Sequence, residues 1–156
     1  MEKNIAFISE DSFVNYLLDH GYKQYGDFII RGRQSYGYLC AQIIEESFPD
    51  GIKLYDSGDL DKLRGLVKNK YGDIGLSDDN RALSARLSDY LVLSGRGRMT
   101  AASNVNIDPN LLEEIRQYID TIPSSTVEYS ELFARFESKL LSSGNVNNHD
   151  FLHGVL

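Results

Sequence analysis

Between Asn80 and Met99 the chain carries Arg81, Arg86, Arg96 and Arg98 against a single acid, Asp89. This reversal of sign stands out because the whole chain is acidic, with 16 Lys+Arg against 23 Asp+Glu and a formal net charge of −7. A general nucleic-acid coat needs a broad basic surface, which this balance disfavours; a small basic reading head on an acidic body remains open. Other reactive groupings find less footing. His149-Asp150-Phe151-Leu152-His153 has the i, i+4 spacing that brings two imidazoles to one metal ion. The metalloprotease pattern needs Glu after the first histidine, however, and Asp150 stands there with no third ligand downstream. Two solvated histidines on a helix end is therefore the reading, with no metal. Cys40 sits on an apolar helix face with no histidine near it in sequence, as a small buried hydrophobe does. Tyr71-Gly72-Asp73-Ile74-Gly75 lacks the Lys-Ser/Thr signature of a phosphate loop. The ten tyrosines are scattered along the chain. They read as edges of an amphipathic core, since a base-stacking platform would need them on one sheet face. No catalytic residue, cofactor or small-molecule substrate is expected.

The 156 residues make one ordinary domain or two small ones, and 42% apolar residues suffice for a buried core. One cysteine forms no intramolecular disulfide. No segment reaches the run of about 18 apolar residues that spans a membrane. The N-terminal apolar stretch ends at Ser9-Glu10-Asp11, without a signal-peptide pattern. A soluble, cytoplasmic protein is the expectation.

The elements that must hold the arginines follow from periodicity and caps. A first helix is expected from Ser9 or Asp11 to His20, then a strand over Phe28-Ile29-Ile30 running into a turn at Arg31-Gly32-Arg33. A helix from about Tyr36 to Phe48 places Leu39, Cys40, Ile43 and Ile44 inward, and Ile52 to Tyr55 is a short strand. Ser57 would cap a helix to Tyr71 with Leu60, Leu63, Leu66 and Val67 on one face. Ser77 would cap another from about Asp78 to Tyr90, with Leu83, Leu87 and Tyr90 inward and Arg81, Ser84, Ala85 and Ser88 opposite. Leu91-Val92-Leu93, Ser94-Gly95-Arg96-Gly97 and Arg98-Met99-Thr100 read as a β-hairpin with a Gly-rich turn. Residues 101–107 read as a linker. Asp108-Pro109 opens a helix to about Ile122, Ser130 opens one carrying Leu132, Phe133, Phe136 and Leu140, and a last helical pattern follows Asp150.

From Tyr36 to Thr100 the order is helix, short strand, helix, turn, helix, strand, Gly-turn, strand. In the Leu60–Val67 helix, the Asp73–Leu76 turn, the Arg81–Tyr90 helix and the Ser94–Arg98 turn, the chain resembles the winged helix-turn-helix family. The resemblance is one of element order over roughly 65 residues. It implies a mainly α fold with a short β-hairpin wing, and double-stranded DNA as partner. It further implies that Asn80, Arg81, Ser84 and Ser88 face bases. Arg96 and Arg98 would contact phosphates, aided by the backbone N–H groups of Gly95 and Gly97. Serines and alanine in place of further basic or amide side chains, and Asp78 and Asp79 at the helix start, depart from that DNA-reading pattern.

Internal similarity extends the same plan. At a shift of 65, Ser12 falls on Ser77, Asn15 on Asn80, Leu18 on Leu83, Tyr25 on Tyr90, and Arg31-Gly32-Arg33 on Arg96-Gly97-Arg98. At a shift of about 70, the Leu60–Val67 helix meets Leu132–Leu140 and Leu83 meets Leu152. Tandem repeat units are the expectation: residues 1–34 as the back of one unit, 35–102 as a whole winged helix-turn-helix, and 108–156 as the front of another, within a longer parent chain. The functional expectation is a non-catalytic DNA-binding protein in transcription regulation or DNA metabolism. The alternative is a protein-protein interaction scaffold that uses the same units to hold a protein partner within a larger assembly.

Overall fold

The computed structural model describes residues 9–31, 36–124 and 126–156. They are mainly helical, with two antiparallel β-hairpins of two strands each. Helix α1 spans Glu10–Asp19, and the Ser9 hydroxyl accepts from Ser12 N at 3.2 Å to cap it. Strands β1 (Tyr22–Tyr25) and β2 (Phe28–Arg31) follow, with Tyr25 opposite Phe28. The turn of this hairpin is therefore Gly26-Asp27, ahead of the strand expected at 28–30. Arg31 closes β2; Gly32 and Arg33 lie outside the described residues.

Next come α2 (Tyr36–Ser47), α3 (Ser57–Tyr71), α4 (Asn80–Leu87), a 3₁₀ turn (Ser88–Tyr90), β3 (Leu91–Gly95) and β4 (Arg98–Ala101). Ile52 bridges to Met99 through two backbone hydrogen bonds of 2.8 and 2.9 Å, adding a minimal third strand beside β4. The caps differ from the serines expected. Asp56 accepts from Gly58 N and Asp59 N at the start of α3, and Asp79 accepts from Ala82 N at the start of α4. A carboxylate makes charge-assisted bonds to helix N–H groups and complements the dipole, so it outcompetes a neighbouring hydroxyl. Ser77 instead accepts from Asp79 N. Helix α4 is also shorter than its apolar pattern, because residues 88–90 tighten into the 3₁₀ turn that leads into β3.

The chain ends in α5 (Pro109–Thr121), α6 (Tyr129–Ser143) and α7 (His149–Val155). Asp108 caps α5 ahead of its first-turn proline, and Asn148 caps α7. Residues 101–107 are no loose linker. Ala101 is buried in β4, Asn145 Nδ2 donates to the Asn104 carbonyl at 2.6 Å, and Asn106 N donates to Asn145 Oδ1 at 2.8 Å. One side-chain amide thus satisfies an extended backbone that the composition alone left open.

Two hydrophobic cores result. The first gathers Leu39, Cys40 and Ile44 of α2, Leu60, Leu63 and Val67 of α3, and Leu83 and Leu87 of α4. Ile52, Leu91 and Ala101 of the strands close it, and Tyr25 and Ile30 of the first hairpin pack on its edge. The second joins Leu111 and Ile115 of α5, Leu132, Phe136 and Leu140 of α6, Val146, and Phe151 and Leu152 of α7. Val92 packs on this second core, while its neighbour Leu91 belongs to the first. Period-two alternation along β3 thereby sends successive side chains into different cores. Strand β2 begins at 28 and β4 at 98, while α1 begins at 10 and α4 at 80. The offset is 70, so the shift of 65 puts the two hairpins out of register.

Candidate functional site

The surface built by α4, the Ile52–Tyr55 segment and the β3–β4 turn carries most of the residues singled out from the sequence. Its foundation is Arg64 on α3, whose guanidinium spans the loop before α4. Nε and Nη2 donate to the Ser77 carbonyl at 3.1 Å, Nη2 reaches Asn80 Oδ1 at 2.7 Å, and Nη1 pairs with Asp61 at 2.8 Å. An arginine fork that meets this many acceptors fixes the approach angle of α4. It also gives Asn80 a structural duty, since its carbonyl oxygen is committed to Arg64 rather than turned to a ligand.

Along α4 the expected outward face divides. Arg81 is exposed, as are Ala85 and Arg86. Ser84 is half-buried, and its hydroxyl donates to the Leu54 carbonyl at 2.8 Å. The wheel of the isolated helix put Ser84 opposite the core; the strand segment that packs there covers it. Ser88 is exposed but lies in the 3₁₀ turn, with its hydroxyl donating to the Ala85 carbonyl at 2.8 Å. Of the acids that weigh against phosphate contact, Asp79 is occupied in capping, where the helix N–H groups absorb part of its charge.

In the β3–β4 hairpin the strands leave Arg96 and Gly97 as the loop, with Gly95 opposite Arg98 and an irregularity between Leu93 and Gly95. Gly97 holds φ +68, a left-handed conformation that suits the turn. Arg96 is exposed at the tip. Arg98 departs from the expectation. It is half-buried, and its Nη1 reaches back toward the Asp50 carbonyl at 3.4 Å. There it lines a cleft of about 480 Å³ together with Ser94, Thr100, Asn104, Asn145 and Asn148. The hairpin's other surface is covered by α7. Asn148 Nδ2 donates to the Ser94 carbonyl at 2.9 Å, and Gly154 sits so close to Leu93 that a Cβ there would collide with the strand backbone.

One residue of this surface was assigned to a core edge from sequence: Tyr55. It is 72% exposed, and its hydroxyl end rests on Gly97, where an added Cβ would come within 2.8 Å of the ring. The single cue in the sequence was its position beside Asp56, at the junction of a short strand and a helix cap. Tyr55 joins the two basic elements, because Leu54 is bonded to α4 through Ser84 while Tyr55 itself touches the hairpin tip. Arg81, Tyr55 and Arg96 are thus presented from three connected elements.

Elsewhere, His149 and Asp150 approach at 3.7 Å and the His153 ring lies 4.3 Å from that of Tyr129. No group of three or more His, Cys, Asp or Glu side chains suited to a metal ion occurs among the described residues. Burial pushes the Cys40 thiol up to about 12, so it stays protonated and inert near neutral pH. No helix among the described residues is long and apolar enough to cross a membrane. Comparison with protein-family models, curated protein sequences and solved structures finds no match to this chain.

Proposed function

We propose that residues 36–101 form a winged helix-turn-helix that binds double-stranded DNA, in a non-catalytic cytoplasmic protein of transcription regulation or DNA metabolism. The observation that carries this reading is the joining of Arg81 on α4 to Arg96 at the hairpin tip through the Ser84–Leu54 bond and the Tyr55–Gly97 contact. A helix face with small side chains around one arginine fits a groove, and a basic hairpin tip beside it fits the phosphate backbone. Arg81 is the residue for base edges and Arg96 the one for phosphates. Asn80 and Ser84 support the helix. Arg98 serves the cleft.

The test is anisotropy titration of the whole chain with random-sequence duplex at low salt. Binding that weakens with salt is expected, and Arg96→Ala should shallow the salt slope by about one unit. Arg98→Ala should change that slope less. Arg81→Ala should blunt preference among sequences, since a bidentate arginine–guanine contact contributes about 1–3 kcal/mol of discrimination. No binding at about 100 μM, the upper range of non-specific affinities, overturns the reading.

A second reading, an interaction scaffold of such units, draws on a different observation. Each hairpin packs on a helical segment that follows it in sequence: Phe28 meets Tyr71 edge-on with ring centroids 5.4 Å apart, and β3 lies under α7. Hairpin-to-helix contact is how these units hold one another, and the same contact serves to hold a protein partner. Its test is retention of a partner protein when Arg81 and Arg96 are both replaced by Ala.

A further inference from the structure

We infer that Tyr55 stacks on an unpaired nucleobase, so that the interface prefers DNA with a single-stranded overhang or junction to uninterrupted duplex; the inference rests on the DNA reading above. Tyr55 is the most exposed large hydrophobic side chain among the described residues. An aromatic ring left this open, resting on the turn that carries exposed Arg96, is a ready stacking partner for a base. Its backbone is held on both sides. Ile52 is paired with Met99, and Asp56 caps α3 with bonds of 2.8 and 3.2 Å to Gly58 N and Asp59 N. Those bonds also draw the charge of Asp56 into the helix terminus, away from an approaching phosphate.

The ring's orientation selects the ligand. Its Cε1, Cζ and hydroxyl lie against Gly97, so the polar tip is turned to the hairpin and does not project as a wedge between base pairs. In continuous duplex the base faces are covered by their neighbours, and a ring held in this way meets only edges and phosphates. An unpaired base offers a free face, while Arg96, the residue before Gly97 in the exposed turn, supplies a cation for the adjoining backbone. Glycine at 97 suits the left-handed φ of +68 and leaves room for the Tyr55 ring, which rests on the turn that carries the arginine. One tyrosine, rather than a sheet-wide platform, does the stacking.

The experiment compares the affinity of the full chain for a covalently closed circular duplex and for a linear duplex of the same sequence with a short single-stranded overhang. The overhang substrate is expected to bind about 10-fold tighter, within the range of one base stacking on an aromatic side chain. Tyr55→Ala should remove this preference, so that the overhang substrate and the closed circle bind the variant equally. Tyr55→Phe and Tyr55→Trp should keep it. Equal binding of both DNAs by the unaltered chain, or a preference that survives Tyr55→Ala, overturns the inference while the DNA reading stands. Failure to bind either DNA overturns both.

Discussion

The two cores differ in what closes them. In the first, helices α2, α3 and α4 are sealed by strand residues, with Ile52, Leu91 and Ala101 lying across the helical layer. In the second, α5, α6 and α7 carry all the fully buried side chains except Val146, and the strand residue against them, Val92, belongs to the hairpin of the first. The first core is thus closed by its own sheet, whereas the second leans on a strand of the first. Dependence should therefore run one way, and several substitutions can break or sharpen that asymmetry.

The largest effect is expected from Leu83→Ala. Leu83 is 1% exposed in the first core, and such a truncation costs about 2–5 kcal/mol. Because β3 is part of that core and supports α7, amide hydrogen exchange should accelerate in both regions. A loss confined to residues 36–101 would show that the third segment is independent. Gly154→Ala probes the reverse direction. Its methyl would meet the Leu93 backbone, and overpacking of this kind costs about 1–3 kcal/mol. Exchange should then speed up in α7 and α6 while α3 keeps its protection; loss of protection in α3 would mean the dependence is mutual. Asn145→Ala removes the bonds to Asn104 and Asn106, a change of about 1 kcal/mol seen as a lower melting temperature with the first core unaffected.

Replacing Cys40 with Ala should matter least near neutrality and separate the cores at high pH. The thiol is raised from an ordinary 9.0 to about 12 in the folded chain by burial. Above about pH 9 the unfolded chain loses this proton while the folded chain keeps it. Its contribution is thus complete below pH 9 and declines as pH rises toward 12. Urea melts across that window should show a shallower alkaline loss for Cys40→Ala, and an unchanged slope would contradict the burial of the thiol.

What the sequence disclosed follows the range of the interactions involved. Helices α2, α3, α5 and α6 were legible because each carries an apolar stripe at helical spacing, a property of a dozen neighbouring residues. The hairpin at 91–101 was legible from its glycines. Strand β1, Tyr-Lys-Gln-Tyr with no apolar alternation, was not, so the Gly26-Asp27 turn that joins it to β2 went unread. At the site, Arg81 and Arg96 are exposed as their local setting suggested. Ser84 and Arg98 are turned by carbonyls 30 and 48 positions away, and Asn80 by an arginine one helix earlier. Side-chain direction was lost wherever a partner distant in sequence set it. Tyr55 was missed for the same reason, since its exposure depends on where Gly97 comes to rest.

The alternation of Leu91 and Val92 along β3 also sets an order of events. The second core cannot close until the β3–β4 turn has formed, because one of its walls is the back of that strand. Helix α7 reaches the strand across more than fifty residues of chain, so this closure carries a larger loop-entropy cost than the local contacts that precede it. During synthesis the hairpin emerges first and waits as a template with Val92 unshielded. On stretching or heating the sequence reverses: α7 peels away before the sheet opens, and a protease should find its earliest cut in the segment joining α6 to α7.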